Sequence, residues 1–134
     1  MIFDKQGLFS EDQAITVTAD STNVIDLGAD ASLVPSPNYK DTPIIVQVTT
    51  AFAGGTSIKV TLETDDNTAF NSATTLYETA AVAAATATTG YKFKIPALPF
   101  EDVERYVQLA YTVVGTMSAG KVFAGFVLDK QQGV

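Results

Sequence analysis

The side chains that could do chemistry in this chain are mainly carboxylates. Asp65 and Asp66 are adjacent, and Glu101, Asp102 and Glu104 form a second acidic cluster. Glycosidases use two carboxylates on opposite sides of the scissile bond, about 5 to 10 Å apart. Neighbouring residues of a strand point to opposite faces, so Asp65 and Asp66 do not naturally share a cleft. The pattern therefore favours two solvated turns over a catalytic acid pair.

The residue types that are missing limit other kinds of catalysis. The chain has no His and no Cys, which removes the most frequent general base, the commonest metal ligand, thiolate nucleophiles and disulfides. A Ser-His-Asp triad is impossible without His. Serine with lysine remains formally open, but no S-x-x-K spacing lies at the start of a predicted helix. We expect the protein not to be an enzyme.

Sites for ions and phosphate are also weakly indicated. Residues 64–68 supply hard oxygen atoms that suit calcium, but they lack the D-x-[DN]-x-[DN]-G loop and its distal Glu. Gly54 and Gly55 do not belong to a phosphate-binding G-x-x-x-x-G-K-[ST] loop, and we predict that they form a hairpin turn instead. The sequence therefore predicts no cofactor and no bound metal.

Charge and size restrict the class of partner. The net charge is −7, from 15 acidic and 8 basic residues, whereas nucleic-acid binding depends on Lys and Arg meeting phosphates. No apolar run approaches the roughly 20 residues that span a bilayer, and residues 4–7 interrupt the apolar N-terminus, unlike a signal peptide. We expect neither nucleic acid nor membrane as a partner. With 134 residues, 46% of them hydrophobic, the chain is predicted to be one globular domain.

The elements that must position any site are predicted to be strands. Apolar and polar residues alternate with a period of two in several segments, with few long connections between them. These segments are residues 14–19, 44–50, 58–63, 91–95, 106–113 and 121–129, with shorter candidates at 24–27 and 75–79. About eight short strands separated by turns indicate a sandwich or a closed antiparallel barrel. Residues 80–87 are rich in alanine and leave helix and short strand both open.

The N-terminal residues 1–12 are predicted to form an arm before the first strand. They carry four large apolar side chains, Ile2, Phe3, Leu8 and Phe9. Either these side chains fold back onto the core, or they dock on another molecule.

Two further segments could contact a partner. Residues 30–43 hold three prolines and Tyr39 without any periodicity, and loops of this length are often functional. In the last strand Phe123 and Val127 flank Gly125 on the face opposite the core residues, so both faces are apolar. The second face is then covered by the arm, by the long loop or by another subunit.

An ordered set of short segments resembles a known family across nearly the whole chain. The segments are LFS at 8–10, QA at 13–14, TVTA at 16–19, STNVIDLG at 21–28, LETDDN at 62–67, Phe70, TLY at 75–77, residues 106–111, AGKV at 119–122 and LD at 128–129. Together they resemble the capsid cement, or decoration, proteins of tailed bacteriophages. Residues 30–43 and the alanine-rich stretch follow the family pattern least.

The resemblance implies both a fold and a role. The fold would be an all-β, antiparallel, jelly-roll-like sandwich of about eight strands, a single domain over residues 1–134 with its N-terminal arm. Cement proteins bind the outer face of an icosahedral head and stabilise contacts between major capsid subunits. The chain would then be a homo-oligomer, preferably a dimer and alternatively a trimer. It would be made in the host cytoplasm and would end on the outer surface of the virion.

The candidate contacts with the major capsid protein or a sister subunit are Ile2, Phe3, Leu8, Phe9, Tyr39, Phe123 and Val127. Three other functions remain open, namely a carbohydrate-binding β-sandwich, an enzyme with two acids that converge in one pocket, and a module of a phage tail or spike. The absence of Trp, which is favoured on sugar-binding platforms, counts against the first.

Overall fold

Strands make up the regular structure of the described residues. The computed structural model describes residues 3–26, 43–95 and 104–127, and the side chains from residue 8 onward. The strands are β1 (Phe3–Ala14), β2 (Ala19–Asp20), β3 (Ile25–Asp26), β4 (Ile44–Ala53), β5 (Ser57–Asp65), β6 (Thr74–Glu78), β7 (Val82–Ala83), β8 (Lys92–Ile95), β9 (Tyr106–Val114) and β10 (Ala119–Val127). In these ranges no helix has the length and apolar character needed to cross a membrane.

The strands form two antiparallel sheets. Sheet A has the order β1-β10-β4-β8, and sheet B has the order β2-β9-β5-β6. The short β3 also pairs with β9, and β7 also pairs with β5. We count β2 and β3 as two parts of one interrupted strand, and likewise β6 and β7. Each sheet then has four strands. The chain then passes between the sheets in the order of a jelly roll, which confirms the predicted all-β sandwich of about eight strands.

The core lies between the two sheets. Alternate residues of the central strands point inward because a strand has a period of two. Sheet A contributes Ile44, Val46 and Val48 from β4, and sheet B contributes residues such as Val60 and Leu62 from β5. The alternation that predicted these strands therefore also identified their buried faces.

The structure corrects the predicted N-terminal arm. From Phe3 onward the chain is strand β1, which pairs with β10 at the edge of sheet A. The pairing contains register shifts, and Asp12 adopts a φ of 52° among them. Such irregularities interrupt the apolar alternation, so the segment does not have the sequence pattern of a strand. The strand predicted at 14–19 is also displaced, because β1 ends at Ala14 and residues 16–18 form a bend.

The turn at Gly54 and Gly55 does not make a hairpin. It joins β4 of sheet A to β5 of sheet B, so the chain changes sheets there. Its backbone bonds go to the end of β9 and to the β9–β10 connection. Thr56 N–H donates to Val114 O at 2.9 Å, and Ser118 N–H donates to Ala53 O at 2.7 Å. A glycine pair predicts a turn, but it does not determine which sheet receives the next strand.

The undecided alanine-rich segment contains a short strand followed by a turn. Within residues 80–87 the structure has β7, and Ala87 N–H donates to Ala83 O at 3.1 Å in the turn that follows. Most of the predicted loop at 30–43, including Tyr39, lies outside the described residues, as does Ile2.

Candidate functional site

The outer face of sheet A carries most of the predicted contact residues that the structure describes. In the register of the strands, Gly125 lies between Leu8 of β1 and Ile45 of β4. Phe123 and Val127 lie two residues before and after Gly125 on the same face of β10. We call Leu8, Ile45, Phe123 and Val127 the outer apolar patch. The structure thus brings Leu8 from the N-terminal segment and the two residues of the last strand together, as parts of one sheet.

The outer apolar patch is mostly buried within the single chain. Leu8 is 7% exposed, Ile45 2% and Val127 1%, although none of the three belongs to the core between the sheets. Phe123 is half-buried. A substitution such as Val127→Asp would therefore bury a charge inside the protomer and destabilise its fold, which makes it a poor probe of an interface.

Phe9 belongs to the core rather than to a docking arm. It is fully buried, and its ring lies 5.5 Å from the ring of Phe126 on the neighbouring strand β10. Because Phe9 fills the protomer's own interior, its assignment as a contact residue is corrected. Only the backbone of Phe3 is described. It is the first residue of β1 and lies opposite Val127 of β10.

Asp65 at the end of β5 holds the loop that follows it. Its Oδ1 accepts a hydrogen bond from Asp66 N–H at 2.6 Å, and its Oδ2 accepts one from Ser72 N–H at 2.9 Å. The Ser72 hydroxyl also donates to this carboxylate. The hydrogen bond from Ser72 N–H is the main cause of the lowered pKa of Asp65, and the donors at Asp66 add to it although burial opposes them.

A third carboxylate, that of Glu104, comes close to this pair. Carboxylate oxygens of Asp65, Asp66 and Glu104 all lie within 4.8 Å of one another. The pKa of Glu104 is raised, first because burial desolvates its charge and then because Asp66 and Asp65 repel it. Among the described residues these three could offer oxygens to a cation, but the oxygens of Asp65 already accept the loop's donors.

The sequence did not indicate that Glu104 of the second acidic cluster lies beside Asp65 and Asp66. They come together because Asp65 lies opposite Tyr106 in the pairing of β5 with β9. That pairing joins residues distant in the chain, and no local pattern reveals it. Glu104 is therefore not separate from the first cluster, whereas Glu101 and Asp102 lie outside the described residues.

A cleft between the edges of the two sheets was not anticipated from the sequence. It has a volume of about 280 Å³ and lies between β8 of sheet A and the β6–β7 region of sheet B. Its lining includes Tyr77, Thr79, Val82, Tyr91, Lys92 and Lys94. Tyr77 is 40% exposed, and the Tyr91 ring packs edge-on against Phe93 with 5.1 Å between ring centroids. The alternation of Tyr91, Phe93 and Ile95 with lysines was visible in the sequence, but their position at a sheet edge was not.

The two lysines of the cleft differ from the other described cations. Lys59 pairs with Glu78 at 3.4 Å, Arg105 with Asp26 at 2.9 Å, and Lys121 with Asp12 at 3.9 Å. Within the described part of the chain, Lys92 and Lys94 have no carboxylate partner at salt-bridge distance. Their register with Gln47 and Ile45 places both lysines on the outer face of sheet A, opposite to the inward face of Phe93.

Comparison with known protein families gives a match over most of the chain. The family model described as Bbp16 matches residues 9–126, which is most of the chain and includes both sheets. No curated protein matches the sequence.

Proposed function

The chain belongs to the Bbp16 family, and we propose that it is a cement protein of a tailed-bacteriophage head. It binds the outer face of the icosahedral shell and stabilises the contacts between major capsid subunits. The observation that carries this proposal is the ordered set of segments, from residue 8 to residue 129, that resembles phage cement proteins. The resemblance extends over the same part of the chain as the family match.

The fold is consistent with the proposal. The resemblance led us to expect a jelly-roll-like sandwich, and the strand order of sheets A and B has that topology. A fold alone does not specify a function, so the strand order supports the resemblance without replacing it.

The role requires binding to an assembled state rather than to free subunits. A ligand that binds one state only shifts the equilibrium toward that state by mass action. A protein that bridges two capsid subunits also gains avidity, because its second contact is intramolecular. Modest contacts at each end are then sufficient, and a homodimer on the shell surface would double them.

The net charge suits the proposed location. A chain with a net charge of −7 is repelled by the phosphates of packaged DNA, so it favours the outside of the shell.

The structure narrows the choice of anchoring residues. Leu8 and Phe9 are used inside the protomer, so the apolar anchors we propose are Ile2 and Phe3, together with Tyr39 of the long loop. A fully covered apolar side chain contributes about 1.5 to 3 kcal/mol, which is opposed by about 1 to 2 kcal/mol for ordering each residue. A docking site on the shell must therefore enclose these anchors closely.

The decisive experiment is decoration of shells. Undecorated heads of a tailed phage that encodes a family member are mixed with the full-length chain or with a chain lacking residues 1–7. We expect the full-length chain to co-sediment with heads and to appear by cryo-electron microscopy on their outer face. The truncated chain loses the first five residues of β1, but it should stay folded because the pairing of β1 with β10 from Leu8 to Ala14 and the core residue Phe9 remain. It should bind at least about tenfold more weakly, because it lacks two apolar anchors.

The controls separate folding from binding. Circular dichroism and thermal unfolding of the truncated chain show whether the sandwich is intact. A variant lacking residues 1–9 is the matched comparison, and it should unfold more readily because it also loses Phe9 from the core. Absence of the full-length chain from the outer surface of heads would contradict the proposal, and its recovery with tails would favour the tail or spike module instead.

A further inference from the structure

We propose that the free edge of β8 accepts an extended segment of a partner protein as an additional strand of sheet A. In this segment acidic and apolar residues alternate. The acidic residues lie beside Lys92 and Lys94 on the outer face of the sheet, and the apolar residues point inward between the two sheets. The proposal does not depend on the cement function, because it rests on the pairing of β8 within the single chain.

The unpaired backbone of β8 is the first argument. β8 is an outer strand of sheet A, and β4 is its neighbour there. Val48 N–H of β4 donates to Tyr91 O at 2.8 Å. Bonded pairs recur at every second residue of an antiparallel ladder, so Phe93 also directs its backbone groups toward β4. The N–H and C=O groups of Lys92 and Lys94 therefore point away from β4, where no described residue pairs with them. Such an edge can pair with an incoming strand.

The cleft beside β8 provides room for that strand. Its lining includes residues 91–94 but none from β4, so the cleft lies on the free side of β8. Its opposite wall belongs to the β6–β7 region of sheet B and includes Tyr77 and Val82. A volume of about 280 Å³ holds the few side chains that a short strand directs inward.

The register of β8 determines which residues of an added strand meet which surface. Lys92 lies opposite Gln47 and Lys94 opposite Ile45, on the outer face of sheet A. Phe93 lies opposite a core residue and points inward. Residues directly opposite each other on neighbouring strands share a face. Alternate residues of the added strand therefore lie beside the lysines, and the residues between them enter the cleft.

Charge selects the outward residues of the segment. Lys94 is exposed and Lys92 is half-buried. Among the described residues neither has a carboxylate partner at salt-bridge distance, whereas Lys59 and Lys121 each have one. Carboxylates opposite the two lysines form cross-strand ion pairs, and cations there are repelled. The outward residues are therefore acidic.

The inner faces of both sheets select the inward residues. Tyr77 lies opposite Leu62, and Val82 lies opposite Ile58, so both side chains are on the core side of sheet B. Val82 packs against the core, and Tyr77 remains 40% exposed. An apolar side chain that enters the cleft removes part of this surface from water. The inward residues are therefore apolar.

A second copy of the chain is a less suitable occupant of this edge. If β8 paired with β8 of another copy through the same backbone groups, lysine would lie opposite lysine. Like charges directly opposite each other are destabilising, and lysines on edge strands generally discourage such pairing. The two lysines thus disfavour a sister edge and favour an acidic strand.

The test uses a fluorescein-labelled peptide with aspartates at two alternate positions, a valine on each side of both, and threonine at the ends. Fluorescence anisotropy measures its binding to the full chain, and ¹⁵N chemical shifts locate the site. We expect the shifts to concentrate at residues 77–82 and 91–95. The amide protons of Lys92 and Lys94 should become protected from exchange with solvent, because they are then hydrogen-bonded.

N-methylated peptides test whether the backbone pairs. The aspartates lie opposite Lys92 and Lys94, so their N–H groups face β8, whereas the N–H groups of the valines face away. Methylation of both aspartate nitrogens should weaken binding by at least about tenfold, because two hydrogen bonds are lost. Methylation of two valine nitrogens is the matched control and should weaken it by less than about threefold.

Charge variants of the chain test the ion pairs. Lys92→Gln/Lys94→Gln should weaken binding by at least about threefold, whereas Arg105→Gln/Lys121→Gln, with the same change in net charge, should leave it within about twofold. The proposal is wrong if the peptide does not bind at millimolar concentration, if the two methylated peptides bind equally, if the two double variants behave alike, or if the shifts lie elsewhere. It is also wrong if the free chain protects the amides of Lys92 and Lys94 in a dimer, since a second copy then occupies the edge.

Discussion

At the scale of single residues, a hydrogen-bond network that includes the buried Ser10–Tyr111 pair joins the two sheets. The Ser10 hydroxyl donates to Gln13 Oε1 at 2.6 Å and lies 2.7 Å from the Tyr111 hydroxyl. Because the one proton of Ser10 is directed to Gln13, the Tyr111 hydroxyl donates to Ser10. Gln13 in turn donates to Asp20 O at 2.9 Å. The network thus fixes strand β1 of sheet A against β9 and β2 of sheet B.

We predict that Tyr111→Phe destabilises the protein by about 1 to 2 kcal/mol, because Ser10 loses a donor in a dry environment. Urea unfolding at pH 7 measures the change. Tyr77→Phe, at an exposed position, is the control and should have almost no effect. Equal effects of the two substitutions would contradict the role of the network.

The same substitution has a consequence at alkaline pH. Burial raises the pKa of Tyr111 above its usual range, and the hydrogen bond with Ser10 offsets this in part. The folded protein then keeps a proton that the unfolded chain loses near pH 10, so stability falls as the pH rises above that value. The fall should be shallower in Tyr111→Phe, as urea unfolding between pH 8 and about 11 would show.

The acidic cluster gives a second prediction at this scale. Since the pKa of Glu104 is raised, the folded state holds its proton more tightly than the unfolded chain. The charged form is therefore unfavourable to folding, and stability decreases as the pH rises past about 4.5. Glu104→Gln should raise the Tm at pH 7 by about 1 to 3 °C and have little effect near pH 3. Glu11→Gln, at an exposed position, is the control, and the same gain at both pH values would contradict the prediction.

At the scale of elements, glycine sets how closely strands can approach. Gly120 in β10 has a φ of +148°, and a Cβ there would overlap the ring of Phe52 of β4. Phe52 is itself buried in the core. The pairing of β10 with β4 thus depends on the missing side chain at residue 120.

We predict that Gly120→Ala destabilises the protein by about 2 to 5 kcal/mol, since backbone strain adds to overpacking. Gly90→Ala is the matched control, because Gly90 has a φ of +92° but nothing within 4 Å of the added Cβ. It should cost only the strain, about 1 to 2 kcal/mol. The difference between the two, measured by urea unfolding, isolates the contact with Phe52, and a difference near zero would show that the contact is unimportant.

At the scale of the whole molecule, local patterns determined the fold class but not the connections. Alternation at Ile44, Val46 and Val48 predicted a buried strand face, and the structure confirms it. The glycine turn at 54–55 was misread as a hairpin, because the pairing of a strand depends on distant residues. Strand β1 was not predicted, for a related reason. Register shifts interrupt its alternation of apolar and polar residues, and its partner β10 lies far away in the sequence.

For the candidate sites too, the sequence indicated individual residues, whereas strand pairing determined which residues lie together. The sequence identified Leu8, Phe123 and Val127 as unusual, but their burial in one patch depends on the register of β1, β10 and β4. The cleft depends on two sheet edges, so neither Tyr77 nor Lys94 indicates it alone. Residue types limited the chemistry, and the topology determined which side chains meet.

The pairing of β1 with β10 has a consequence for how the protein acquires its structure. The strand synthesised early, at Phe3–Ala14, has its sheet partner at Ala119–Val127. On the ribosome, β1 emerges long before β10. Until β10 is synthesised, β1 lacks the partner strand with which it pairs in sheet A. Sheet A can close only when synthesis has passed β10, so folding is expected to be a late event that takes milliseconds to seconds rather than microseconds. Until then the apolar residues of β1 are open to misassembly with other chains, and rapid completion of synthesis protects them.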